Sequence, residues 1–163
     1  LLPEKMLSCE GMIQIVGAAC ATEEVGELDM RDSLFTGLSN SAISALEPLG
    51  LPPGEISLLF SDFNNGRYRA GETSYCQHRL MAEFLAQDAQ MIYPTMNFGD
   101  VGSASLPASL VEALSHSLAS AEATTSLTLS SSTRCQLRGC VVFRNNPIHH
   151  KQLSVSVASA NDE

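Results

Sequence analysis

Short apolar runs alternate with segments of helical period along this chain, and that alternation limits its fold more than any other feature. Residues 12–21, Met-Ile-Gln-Ile-Val-Gly-Ala-Ala-Cys-Ala, are rich in small and β-branched side chains and predict a buried strand. Asp32 or Ser33 is placed to cap a helix whose apolar face is Leu34, Leu38, Ala42, Leu46 and Leu49, closed by Gly50 and Pro52-Pro53. Residues 55–62 predict a second strand. A polar loop from Phe63 to Gly71 leads to a helix carrying Cys76, Leu80 and Phe84 and, one step round, Met81 and Leu85. Met91-Ile92-Tyr93 reads as a short third strand ending at Pro94. A third helix presents Leu106, Leu110, Leu114 and Leu118, with Pro107 tolerable in its first turn. Residues 126–130 and 137–143 alternate in polarity across a Ser-rich turn, the signature of a hairpin.

The predicted order is therefore β-α-β-α-β-α-β-β. Strands separated by helices run parallel through right-handed crossovers, and the hairpin adds antiparallel neighbours. The expected class is α/β, with a mixed five-stranded sheet and helices packed on it. Ligands in such sheets gather beyond the carboxyl ends of the parallel strands. Asp62 ends the second strand, and the turn Asn97-Phe98-Gly99-Asp100-Val101-Gly102-Ser103-Ala104-Ser105 follows the third. Gly99 and Gly102 permit positive φ there, and the free N–H groups of the helix start face whatever lies at Asp100. Two loops thus converge on one rim, which makes Asp62 and Asp100 candidate catalytic residues. Each also has a structural reading. Asp62 could close a turn on the Asn64 or Asn65 backbone, and Asp100 could bind helix-mouth amides that favour its ionised form.

Composition removes several function classes. The chain has 163 residues, 44% of them hydrophobic and 17% charged, enough for one globular domain with a real core. Its net charge is −9 with only nine Lys and Arg, which argues against nucleic acid and against an anionic membrane surface. No apolar run approaches the roughly 20 residues that cross a bilayer. The start, Leu1-Leu2-Pro3-Glu4-Lys5, has neither a signal-peptide pattern nor an initiator Met, so a fragment or trimmed chain is expected. Five cysteines without a C-x-x-C pair, and no His pair at a zinc-finger interval, predict buried free thiols in a reducing cytosol, with no metal and no cofactor. The acidic stretch from Glu23 to Asp29 reads as a solvated loop. Residues 1–144 form the expected domain. Residues 145–163, in which Leu153, Val155 and Val157 alternate, form a tail that is either an added strand or disordered.

The order of elements, the loop Ser61-Asp62-Phe63-Asn64-Asn65-Gly66 with Glu72 ten residues past Asp62, and the turn Gly99-Asp100-Val101-Gly102-Ser103-Ala104 resemble the C-terminal half of the thiolase-like superfamily, its β-ketoacyl synthase branch above all. The resemblance covers about residues 10–144. In that family a His-Gly-Thr-Gly motif follows one strand with a glutamate downstream, and a Lys-x-x-x-Gly-His turn opens a helix of small residues. The resemblance sets the first histidine near Asp62, the second on Asp100, the motif lysine on Thr95 and the glutamate on Glu72. It implies an acyl-thioester pocket lined by Asn64, Asn97, Gly99, Gly102, Ser103 and Glu72, although Glu72 also suits a carboxylate at a helix start.

The departures matter for chemistry. Decarboxylative condensation uses a cysteine nucleophile and two donor side chains that stabilise the thioester oxygen and the developing enolate. An ionised aspartate only accepts hydrogen bonds. One like-charge pair at about 4 Å costs about 4 kcal/mol at an effective dielectric of about 20. The family nucleophile belongs to the N-terminal half, on a helix start after a strand. Cys20 ends a strand but runs into an acidic loop, a poor setting for a thiolate. The expectation is a thiolase-like half lacking condensing activity by itself. Its partners would be the N-terminal half or a second copy, with an acyl carrier protein or acyl-CoA as further partners, in the cytoplasm. The alternatives are an acyltransferase or thioester hydrolase using Asp62 and Asp100 with help from Glu72, and a non-enzymatic assembly module that adds its tail as a strand.

Overall fold

The computed structural model describes residues 12–25, 33–120 and 122–146, and the tail from 147 onward lies outside the described residues. The elements run β1 (Met12–Thr22), α1 (Thr36–Leu46), β2 (Ile56–Ser61), α2 (Arg67–Met81), β3 (Leu85–Ile92), α3 (Thr95–Phe98), α4 (Ser105–Ala119), β4 (Thr124–Ser131) and β5 (Leu137–Asn146). Short 3-10 turns cover Glu47–Leu49 and Gly102–Ala104. The five strands form one sheet in the order β1-β5-β4-β2-β3. β2 pairs in parallel with β3 and β4, whereas β5 is antiparallel to both β4 and β1. β1 therefore points the same way as β2, β3 and β4, and β5 alone is reversed. No helix among the described residues is long and apolar enough to cross a membrane.

Alternation along the strands sends side chains to two unlike faces. On one, α1 and α2 bury Leu38, Ala42, Ala45, Leu46, Cys76 and Leu80 against Ile56, Leu59, Leu127, Leu129, Cys140 and Val142. α1 comes very close to the sheet there. A Cβ on Gly17 would stand 2.7 Å from the Ala45 carbonyl oxygen, so only glycine fits. On the other face α4 is the helix that packs over Phe60 and Phe143 among the described residues, with Ala113 buried against them and Leu58, Ile92, Leu110 and Val141 partly buried around them.

Several expected boundaries moved. α1 begins at Thr36, so Leu34 precedes the helix and is 66% exposed rather than part of its buried face. Asp32 lies outside the described residues, and Phe35, which precedes α1, makes no side-chain cap bond. Ser33 instead accepts a bond from the Phe35 N–H at 3.2 Å. The cap comes from Glu23, whose carboxylate accepts the Gly37 N–H at 2.6 Å. Glu23 is wholly buried, so the acidic stretch is not simply solvated at its start. A carboxylate fits at this place because it meets unpaired amides at the positive end of the helix dipole.

α2 starts at Arg67, inside the segment expected to be loop, and ends at Met81, so Phe84 and Leu85 lie beyond it. β3 begins at Leu85, six residues before the strand read from sequence. The buried stripe of α4 is Ser105, Ser109 and Ala113, not Leu106, Leu110 and Leu114. Leu106 and Leu110 flank the stripe and Leu114 is 39% exposed. Two of the cysteines expected to be buried, Cys20 and Cys135, are exposed, while Cys76 and Cys140 are buried. Burial pushes the Cys76 thiol up to about 12 and raises Cys140 well above its ordinary value.

Candidate functional site

The carboxyl ends of β2 and β4 open onto a cleft of about 740 Å3. Asp62 and Asp100 both line it, together with Arg69, Gly102, Ser105 and the hairpin residues Ser130 to Arg134. The two loops read as convergent from sequence do meet here. Asn64 Nδ2 donates to Asp100 Oδ2 at 2.9 Å across a sequence gap of thirty-six residues. The Thr95 hydroxyl donates to the Phe63 carbonyl and ties the loops a second time.

The two aspartates sit in unlike settings. Asp62 is 7% exposed. It accepts the Ser131 N–H at 2.8 Å, the Ser130 hydroxyl at 3.1 Å and the Arg69 guanidinium at 3.4 Å. These bonds cross from β2 to β4 and α2, so Asp62 does not close a local turn. Asn64 does that, accepting the Gly66 N–H at 3.0 Å. Burial pushes the Asp62 carboxyl above its ordinary range, opposed by Arg69 and the two serine bonds and aided by Glu72. The Ser131 N–H and the Ser130 hydroxyl both fall on Oδ2, which therefore serves as an acceptor.

Asp100 is exposed. The Asn64 amide, and after it the Gly102 N–H at 2.8 Å, hold its carboxyl below the ordinary range. Gly99 and Gly102 take φ of 81° and 61°, the left-handed conformations expected of this turn.

Glu72 lies behind the cleft wall rather than on the cleft. It is wholly buried, receives the Ser131 hydroxyl at 2.7 Å and pairs with Arg138, itself almost wholly buried. Arg69 stands 4.0 Å from the same carboxylate. Two buried arginines and two buried acids thus form one compensated cluster between α2 and the β4–β5 hairpin. Asn97 and Gly99 are exposed and Asn64 is half-buried. None of the three is among the cleft-lining residues. Ser103 falls in the 3-10 turn beside Gly102.

Arg69, Arg138 and the Ser130–Thr133 hydroxyls belong to the site or its support without being among its expected residues. Signals for the arginines were present. Arg138 interrupts an otherwise apolar alternation in β5, and Arg69 stands three residues before Glu72 on one helix face. Cys20 also lines the cleft, on the sheet face that carries α4. Among the described residues no group of His, Cys, Asp and Glu could hold a metal ion.

No family model matches the sequence, and no curated protein matches it. Solved structures do resemble the fold. A ketosynthase from module 1 of the bacillaene synthase of Bacillus amyloliquefaciens superposes with a TM-score of 0.69 at 10% identity, over 83% of this chain and 30% of that one. An ishigamide ketosynthase/chain length factor gives 0.56 at 18% identity, over 89% of this chain and 37% of that one. A tetronic acid condensing enzyme gives 0.57 at 15% identity, over 85% and 54%. The chain therefore spans about a third to a half of the length of these structures, and its fold is that of a thiolase-like half.

Proposed function

We propose that this chain is one half of a thiolase-like assembly, that its cleft receives an acyl thioester, and that it does not condense acyl groups by itself. The observation that carries this reading is the set of donors gathered on Asp62. Near the position where the family resemblance implies a hydrogen-bond donor stands a carboxylate that accepts from Ser131, Ser130 and Arg69. Asp100, on the other side, is held ionised by Asn64 and Gly102. Two acceptors facing an enolate oxygen oppose the charge that condensation must build.

The need for a partner rests on the α4 face. Among the described residues one helix covers the five-stranded sheet there, and Ile15, Val111, Leu114 and Leu137 stay 39% to 68% exposed. The N-terminal half of a related protein or a second copy of this chain would cover it, and the first would also bring the nucleophile.

The test is incubation of the chain with a radiolabelled acyl thioester and a malonyl thioester. The expected outcome is saturable binding that shifts the amide resonances of residues 130–133, no covalent loading and no carbon–carbon bond. Product from the chain alone would overturn the reading. The opposite displacements of the Asp62 and Asp100 carboxyls favour a second reading, thioester hydrolysis by an acid–base pair. It predicts thioester cleavage that disappears in both Asp62→Asn and Asp100→Asn.

A further inference from the structure

Most donors that line the cleft are already used within the chain. The Ser105, Ser130 and Ser131 hydroxyls donate to Asp100, Asp62 and Glu72, and that of Ser132 turns to the Cys135 N–H at 3.2 Å. Arg69 is bonded to Asp62, to the Ser131 carbonyl and to the Thr133 hydroxyl. Thr133 and Arg134, at the tip of the β4–β5 hairpin, differ. The Thr133 hydroxyl accepts Arg69 Nη2 at 3.1 Å, so its own proton is left to give. Arg134 is exposed where it lines the cleft, and among the described residues it makes no hydrogen bond and no ion pair. Arg69, Arg79, Arg138 and Arg144 are all engaged. A chain of eighteen acids and nine bases thus leaves a guanidinium open at this rim.

A guanidinium offers a planar fork that matches phosphate oxygens, and a hydroxyl beside it adds a further donor. Asp62 and the ionised Asp100 repel an anion from their part of the cleft, which favours the hairpin tip for any negative group of a ligand. The tip is held in place, because Arg138 Nη1 donates to the carbonyls of Ser132, Cys135 and Leu137 on either side of it. Resting on the reading that the cleft receives an acyl thioester, we propose that Arg134 and Thr133 form its phosphate subsite. They bind the phosphate ester at the end of the pantetheine arm, a group that CoA and a carrier protein share. The thioester is thereby oriented with its phosphate at the hairpin tip and away from the two aspartates.

The test is titration calorimetry of the full chain with S-acetylpantetheine, its phosphate monoester and acetyl-CoA. The monoester is expected to bind about tenfold more tightly than the unphosphorylated thioester, and that ratio falls toward one in Arg134→Ala. The ratio also shrinks as salt rises, because the pair is exposed. Arg134→Lys keeps the charge without the fork and retains part of the ratio. A ratio near one in the unaltered chain, or one that Arg134→Ala leaves unchanged, overturns the proposal while binding of S-acetylpantetheine upholds the thioester reading. A dependence on Arg134 seen with acetyl-CoA alone overturns the assignment to the arm and gives the subsite to the nucleotide phosphates. Binding of none of the three thioesters overturns both the subsite and the reading beneath it.

Discussion

The two faces of the sheet were built to different standards. The α1/α2 face is filled with leucines and closed at its cleft end by a compensated ionic cluster of Asp62, Arg69, Glu72 and Arg138. The α4 face carries three fully buried apolar residues, a row of hydroxyls and exposed aliphatic side chains at its margin. The contrast teaches where the stability of this chain resides. Helices packed by hydrocarbon against hydrocarbon define the fold, and the face that adjoins the cleft keeps polar groups that contribute little to it.

The sharpest way to break this comparison is Glu72→Ala. It leaves Arg138 buried without its carboxylate and is expected to cost about 3–5 kcal/mol in urea unfolding. A loss no larger than that of a surface change would mean that the cluster does not anchor its face. Next in size is a matched pair of truncations. Leu129→Ala, on the α1/α2 face, should cost about 2–5 kcal/mol. Leu110→Ala, half-buried under α4, should cost about 1 kcal/mol. Equal losses would erase the distinction between the faces. Glu23→Ala removes the carboxylate cap of α1 and should cost about 1 kcal/mol, with faster amide exchange confined to the first turn of that helix.

The smallest effect is a matter of sign. Carboxyl resonances followed by NMR should titrate in opposite directions from the ordinary value, Asp100 below it and Asp62 above it. The stabilisation from Asp100 is complete above the unfolded carboxylate pKa and is lost as pH falls through its lower folded value. Asp62 acts in reverse. The native state keeps its proton to higher pH than the unfolded chain, so stability declines as pH rises from the ordinary carboxylate range through the raised value. Asp100→Asn should abolish the first dependence and leave the second.

Element order and strand direction were legible because period is a local property of the chain. The crossovers between β2, β3 and β4 follow from it, and so does the hairpin. The insertion of β5 between β1 and β4 was not written in any period, since it depends on which long-range pairing buries most surface. The convergence of the Asp62 and Asp100 loops was readable from strand ends alone. What each carboxylate does there was not, because Arg69, Ser130 and Ser131 come from other parts of the chain. The face of α4 was misread for a related reason. Leucines at intervals of four gave the stronger hydrophobic signal, yet the smaller Ser105, Ser109 and Ala113 let the helix lie close against β4. Glu23 shows the same limit, since a cap supplied from fourteen residues away leaves no local pattern.

The guanidinium of Arg138 has one more consequence. Its Nη1 donates to the carbonyls of Ser132, Cys135 and Leu137, so the bend between β4 and β5 is gripped from inside. Apart from Thr133, whose hydroxyl is held by Arg69 at 3.1 Å, outward side chains at this tip, Arg134 among them, are therefore free to drift among relatives without loosening the bend. Its length is not. Adding or deleting one residue would pull those carbonyls off their shared donor, so diversification at this rim of the cleft should proceed by substitution and not by insertion.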